Sequence, residues 1–225
     1  MGVRIQLKWL VVAAMSLACQ ATQAGEPEAW IGGIRIAVPV APGYTDVTST
    51  PRGKIQAELD NGPEIRLLAV QIKERGKSTI VVKTARELES TTVPRSEYLA
   101  SAARVRANPT LAKVTATDLD RLKGALQKEA AAHGNTIGDI VVGPQELIGQ
   151  EPVIDGAYGY TTGQKMRVVI NGRQRDLVSL SCTQFVWAKG RALTIQLHAA
   201  QLEQRDVESA RKDCGAYVRQ FLLAN

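Results

Sequence analysis

With 225 residues, 44% hydrophobic and 4% aromatic side chains and a formal net charge of +6, the chain can bury a sizeable core and is only mildly basic. A nucleic-acid surface would gather its charge into a stripe beside a reading motif, and the sequence has neither, so no nucleic-acid partner is expected. Two histidines and three cysteines also leave few groups for metal or nucleophilic chemistry.

Residues 1–24 read as a secretory signal peptide. Arg4 and Lys8 make a basic start, residues 9–18 are apolar, and Thr22 and Ala24 are small residues just before Gly25. The apolar run is about half of the roughly 20 residues needed to cross a bilayer, so cleavage is expected to leave 25–225 as a single domain, periplasmic or secreted. A second reading stays open, because Ser16-Leu17-Ala18-Cys19 is similar to a lipobox in which Leu17 falls one place late. Lipidation of Cys19 would make the protein an anchored lipoprotein. Loss of Arg4 and Lys8 changes the balance from 28 basic against 22 acidic side chains to 26 against 22, a net +4. That charge permits peripheral contact with an anionic membrane without requiring it.

The mature chain opens with a predicted strand over 30–38, Ile34 and Ile36 inward, ended by Pro39 and Pro42-Gly43. A short helix is expected from Thr50 as cap through Pro51 to Leu59, stopped by Asn61-Gly62-Pro63. Strands over 64–73 and 78–85 then form a hairpin around the basic turn Glu74-Arg75-Gly76-Lys77. Ser96 caps a helix running to Arg106, before Asn108-Pro109. Thr117 and Asp120 start a longer helix ending at His133-Gly134, with Leu119, Leu122, Leu126 and Ala130 as its apolar stripe.

Residues 135–155 read as irregular, because Gly143-Pro144 and Glu151-Pro152 interrupt them. Strands follow over 157–162, 165–170, 176–187 and 192–199, with Asn171-Gly172 and Lys189-Gly190 as tight turns. An amphipathic helix over 203–223 closes the chain. The order of hairpin, helices, meander and helix implies an α+β fold, an antiparallel sheet with helices packed on its faces.

Cys182 and Cys214 remain after cleavage, and two cysteines in an oxidising compartment usually pair. Val178, Leu180, Cys182, Val186 and Ala188 share one strand face, and Val207, Ala210, Cys214, Tyr217, Val218, Phe221 and Leu222 recur at helical spacing. Both thiols therefore belong at one strand–helix interface, where a disulfide would stabilise the fold by about 3–4 kcal/mol in the chain-entropy model. The other reading is two reduced, buried thiols. A catalytic thiol lacks a neighbouring His.

His133 fits a helix C-terminus, where the dipole favours a cation. His198 shares a strand face with Thr194 and Gln196, as a groove residue or simply a half-exposed one. No HxxxH spacing, calcium ladder, GxSxG or SxxK occurs, so no metal, cofactor or nucleophile is implied. The Gly-rich piece 156–163 lacks the GK[ST] ending of a phosphate loop and alternates like a strand. Tyr158, Tyr160 and Trp187 either form an aromatic binding platform or pack beneath a helix. Arg75 with Lys77, Arg173 with Arg175, and Lys189 with Arg191 sit at three predicted hairpin tips, which would make a basic binding surface if the tips gather at one end of the sheet. Solvated tips are the other reading.

Three segments give the chain a family resemblance. They are Ile36-Ala37-Val38-Pro39-Val40-Ala41-Pro42-Gly43-Tyr44, Arg66-Leu67-Leu68-Ala69-Val70, and the ending from Val186-Trp187-Ala188-Lys189-Gly190-Arg191-Ala192-Leu193 to Leu222-Leu223-Ala224-Asn225. In these the chain resembles the PsbP-like superfamily, and more narrowly DcrB-type bacterial envelope proteins. The resemblance implies an α/β/α sandwich and an accessory, chaperone or binding role, with no catalytic residues to carry over. The expectation is an exported periplasmic or envelope binding protein with an unknown protein or envelope partner. A periplasmic inhibitor or immunity protein acting against a toxin is one alternative. An envelope hydrolase with a triad assembled from distant residues, marked by a concave polar pocket around His198, is the other.

Overall fold

The computed structural model describes residues 27–51, 53–54, 64–73, 78–109, 111, 116–132, 134–201 and 204–225. The expected leader with Cys19, most of the helix over 50–59, the Arg75/Lys77 tip and His133 lie outside the described residues.

The predicted strand over 30–38 is a tight hairpin, β1 (Glu28–Ile31) and β2 (Ile34–Ala37), paired antiparallel. Gly32 and Gly33 turn it at positive φ of 51° and 79°, which explains why one apolar run reverses direction. A Cβ on Gly32 would also collide with the Glu89 carbonyl oxygen. Ile31 and Ile36 enter the core.

The main sheet has seven antiparallel strands: β3 (Tyr44–Asp46), β4 (Ile65–Lys73), β5 (Ser78–Ala85), β6 (Ile137–Gln150), β7 (Ala157–Ile170), β8 (Arg173–Ala188) and β9 (Arg191–Gln201). Their spatial order is β3-β4-β5-β9-β8-β7-β6. The meander β7-β8-β9 turns at Asn171-Gly172 and Lys189-Gly190, all four residues at positive φ, as such two-residue turns require.

Among the described residues the sheet is covered by α1 (Arg95–Ala107), α2 (Ala116–Ala132) and α3 (Gln204–Ala224). On one face α3 buries Val207, Ala210, Cys214, Tyr217, Val218 and Phe221 against Leu180, Cys182, Val186, Leu193, Ile195 and Leu197. These strand residues alternate along β8 and β9 in the expected way. On the other face α1 packs Tyr98, Leu99 and Ala102 against Tyr158, Phe185, Trp187 and Ala192. Thus the α+β class and the placing of helices on both faces are observed.

The expectation for 135–155 fails. Residues 137–150 form the fourteen-residue strand β6, paired to β7 with register shifts between Ile137 and Ile140, Val142 and Gln145, and Leu147 and Gly149. Gly143 and Pro144 fall within the second shift, so the residue without an N–H occupies a gap in the ladder. What reads as loop punctuation is a set of bulges. Likewise 157–170 is one strand, with Gly163 admitting the Ile148 side chain within 3.0 Å of where a Cβ would stand.

Candidate binding cleft and strand edge

Behind the end of β6 the chain turns through residues 151–156 and leaves a cleft of about 220 Å³ between this loop and α3. Its lining includes Glu151, Ile154, Gln184, Arg211, Lys212, Gly215 and Arg219. On α3, residues 211, 215 and 219 recur every four positions and so form one stripe along the helix. Gly215 is the gap in that stripe. A Cβ there would stand 3.6 Å from Ile154 Cδ1 and 3.8 Å from the Arg219 guanidinium.

Glu151 is the strut of the loop, with its side chain only 3% exposed. Its carboxylate accepts from the Thr161 hydroxyl at 2.6 Å and from Arg211 Nε at 2.7 Å. Arg211 also donates to the Gln150 carbonyl at 2.8 Å, and Arg106 from α1 donates twice to the Glu151 carbonyl at 3.0 and 2.8 Å. The loop is therefore clamped from both helical layers. Glu151 and Arg211 are consumed by this clamp, whereas Lys212 and Arg219 make no ion pair among the described residues and give the rim positive charge.

The cleft is bordered by Gln184, which projects from β8 two residues beyond Cys182 and is fully buried. Neither its Nε2 nor its Oε1 has a hydrogen-bond partner among the described residues. Its neighbour across the sheet is Gly159, where a Cβ would lie 2.6 Å from the Gln184 side chain, so the strand glycine makes the space the carboxamide occupies. Burying an unpartnered amide costs about 1–3 kcal/mol in protein mutational data.

Next to the cleft, β6 is the outer strand of the sheet among the described residues. Val141, Leu147, Ile148 and, in the following loop, Val153 are 58%, 43%, 40% and 52% exposed. An outer strand carries one row of unpaired backbone groups along its free side.

The residues singled out in the sequence are scattered over the fold. Cys182 and Cys214 form a disulfide with Cα atoms 6.5 Å apart, closing the strand–helix interface beside Gln184. Tyr158 and Trp187 pack beneath α1, and the Trp187 indole donates to the Val93 carbonyl at 2.8 Å. Tyr160 meets the Phe185 ring at a centroid distance of 6.1 Å, and burial raises its hydroxyl pKa. These aromatics do not form an open platform.

His198 lines a separate cavity of about 330 Å³ under α2, with Ser78 and Ser179 but mostly with Leu122, Leu126, Met166 and Val168. Ser78 shares a 2.7 Å hydrogen bond with the Tyr44 hydroxyl.

The two described basic tips do not gather either. Arg173 and Arg175 follow the β7–β8 turn, while Lys189 and Arg191 flank the β8–β9 turn at the other end of the sixteen-residue β8, roughly 50 Å away at strand rise. Arg191 is moreover buried, donating to the Ile31 and Gly32 carbonyls at 3.2 and 3.0 Å and to Thr92 Oγ1 at 3.5 Å. It fastens the β1–β2 hairpin to the sheet.

The cleft residues Gln184, Glu151, Arg211, Lys212, Gly215 and Arg219 escape a motif-based reading, because none belongs to a catalytic or metal pattern. Two weak signals were present: a lone Gln within an apolar strand face, and Arg-x₃-Gly-x₃-Arg on a helix. Among the described residues no group of three or more His, Cys, Asp or Glu could hold a metal ion.

No protein-family model matches the chain, and no curated protein matches it. Among solved structures it is similar to the Saccharomyces cerevisiae Ran-binding protein Mog1p, at 12% identity over 86% of this chain and 87% of that one, with a TM-score of 0.30. It is also similar to the cyanobacterial PsbP (CyanoP) of Synechocystis, at 16% identity over 83% and 85% of the two chains, again with a TM-score of 0.30.

Proposed function

We propose that the chain is an exported accessory protein of the periplasm or cell envelope that acts by binding a protein partner along the β6 edge, without catalysing a reaction. The carrying observation is the exposed apolar set Val141, Leu147, Ile148 and Val153 on and beside an outer strand. Such an edge offers main-chain hydrogen bonds and side-chain contacts together, the requirements of strand addition or edge docking. Its three bulges and Pro144 restrict indiscriminate pairing and so favour a specific partner. Export is supported by the leader-like residues 1–24 and by the Cys182–Cys214 disulfide, which persists best in an oxidising compartment. No helix among the described residues is long and apolar enough to cross a membrane. The DcrB-type reading rests on the sequence segments alone.

Site-specific photo-crosslinking in intact cells tests this reading. Crosslinkers placed at Leu147 and Val153 are expected to trap one defined envelope protein, and one at Arg173 is not. Equal labelling from all three positions, or none from the edge, would overturn it. Processing is checked separately by N-terminal sequencing of the exported protein: Gly25 is expected, and an acylated Cys19 would convert the reading to a lipoprotein.

A further inference from the structure

The buried carboxamide of Gln184 has one donor group and one acceptor unused, and it borders a cleft whose rim carries Lys212 and Arg219. A ligand that completes this arrangement must present an acceptor and a donor to Gln184 and a negative charge to the two cations. A peptide unit offers both a C=O and an N–H, and a carboxylate offers the charge. The two occur side by side at the carboxyl terminus of a polypeptide. Size narrows the choice further. A volume of about 220 Å³ equals that of roughly seven water molecules at about 30 Å³ each. That is room for a terminal carboxylate, its Cα and the preceding peptide unit with a small last side chain.

We propose that the cleft between the 151–156 loop and α3 is a receptor for the carboxyl terminus of a polypeptide ending in a small residue, its carboxylate held by Lys212 and Arg219 and its last peptide unit by Gln184. This rests on the reading of the protein as a protein binder and specifies one part of the partner. Glu151 supports the site without joining it. Its charge is neutralised by Arg211, so it does not repel the incoming carboxylate, and the clamp keeps the loop in place. Gly159 leaves room for the carboxamide, and the bare Gly215 backbone lets the Ile154 side chain and the Arg219 guanidinium lie close over the helix at the cleft. The strand edge lies beside the cleft mouth, so a segment docked on β6 has a place for its end.

The test is a titration of the ¹⁵N-labelled mature protein with the acetylated tetrapeptide Gly-Ser-Gly-Ala and with the same peptide amidated at its carboxyl end. The free-acid peptide is expected to shift the Gln184 side-chain NH₂ resonance and the backbone of 211–219 saturably. The amidated form should bind about tenfold more weakly, since it loses a charge-assisted hydrogen bond. Lys212→Ala and Arg219→Ala change exposed side chains, leave the fold intact and should each weaken binding several-fold, with a shallower salt dependence. Gln184→Met should weaken it about tenfold while keeping the native spectrum. Absence of a saturable shift, equal binding of acid and amide, or full affinity in Gln184→Met would overturn the proposal and leave ordered water as the partner of the carboxamide. The crosslinking at the β6 edge is read independently, so the cleft and the edge can fail separately.

Discussion

Gln71 and Gln184 are both fully buried glutamines on the sheet face that α3 covers, yet their surroundings are opposite. Gln71 spends its whole carboxamide: Oε1 accepts from the Ala41 N–H at 2.9 Å, and Nε2 donates to the Pro39 carbonyl at 2.9 Å and to the Tyr217 hydroxyl at 3.1 Å. It ties the loop after β2, strand β4 and helix α3 into one network. The Gln184 carboxamide has no hydrogen-bond partner among the described residues and borders a cleft. The pair separates two uses of a buried polar group. A satisfied one fixes the packing of neighbouring elements, whereas an unsatisfied one costs stability and is worth retaining where a ligand completes it.

The strongest way to strain the comparison is to remove the covalent link beside Gln184. The Cys182–Cys214 bond joins β8 to α3 across a sequence separation of 32. Replacing both cysteines with Ala should lower unfolding free energy by about 3–4 kcal/mol by the chain-entropy estimate. Urea denaturation measures it. The Gln71 network should then hold its end of α3 until global unfolding, which would appear as slower amide exchange around 217–221 than around 207–214.

Next in size is Gln71→Met. It leaves the Ala41 N–H, the Pro39 carbonyl and the Tyr217 hydroxyl without their side-chain partner in the buried interior, a loss of about 2–3 kcal/mol. A drop under 1 kcal/mol in the same denaturation experiment would show that the network is dispensable, and the contrast with Gln184 would lose its basis.

Much of this framework was legible in the sequence because it rests on periodicity. The alternation of Leu180, Cys182 and Val186 and the helical spacing of Cys214, Tyr217, Val218 and Phe221 point both sets into one interface, and they meet there. The two Gly-containing turns of the meander were equally readable, since few residues adopt positive φ. Strand β6 was not readable, because its glycines and Pro144 punctuate bulges that only the register with β7 defines. The cleft was hidden for a similar reason. Gln71 and Gln184 both interrupt apolar strand faces, and nothing local to either tells which one finds partners. Those partners arrive from the loop after β2 and from α3, far away in sequence.

A pH dependence sharpens the Gln71 side of the comparison. Burial holds the Tyr217 hydroxyl above its ordinary pKa of 10.0; the Gln71 hydrogen bond opposes that shift and the Asp46 charge adds to it. Burial does the same to Tyr98 beneath α1. Above about pH 10 the unfolded chain releases these protons while the folded one keeps them, so the native state binds more protons and stability falls as pH rises. Denaturation midpoints should therefore be flat up to about pH 9 and decline beyond it. Tyr217→Phe should make the decline shallower, and an unchanged slope would remove Tyr217 as a cause.

The smallest expected effect has the opposite sign. Gln184→Met keeps side-chain length and approximate volume, as Gln71→Met does, but deletes a carboxamide that has no partner. The unmet desolvation penalty disappears, and the thioether joins the apolar neighbours Leu180, Cys182 and Val186 on its own strand face. Stability should rise by about 1 kcal/mol, so one substitution made at two buried glutamines of one sheet face would move the denaturation midpoint in opposite directions. The gain should shrink when the variants are compared in the presence of the free-acid tetrapeptide, because the ligand stabilises only the protein that binds it. If Gln184→Met instead loses stability by as much as Gln71→Met, the carboxamide is already satisfied in the free protein, and the cleft is a structural feature with no vacancy to fill.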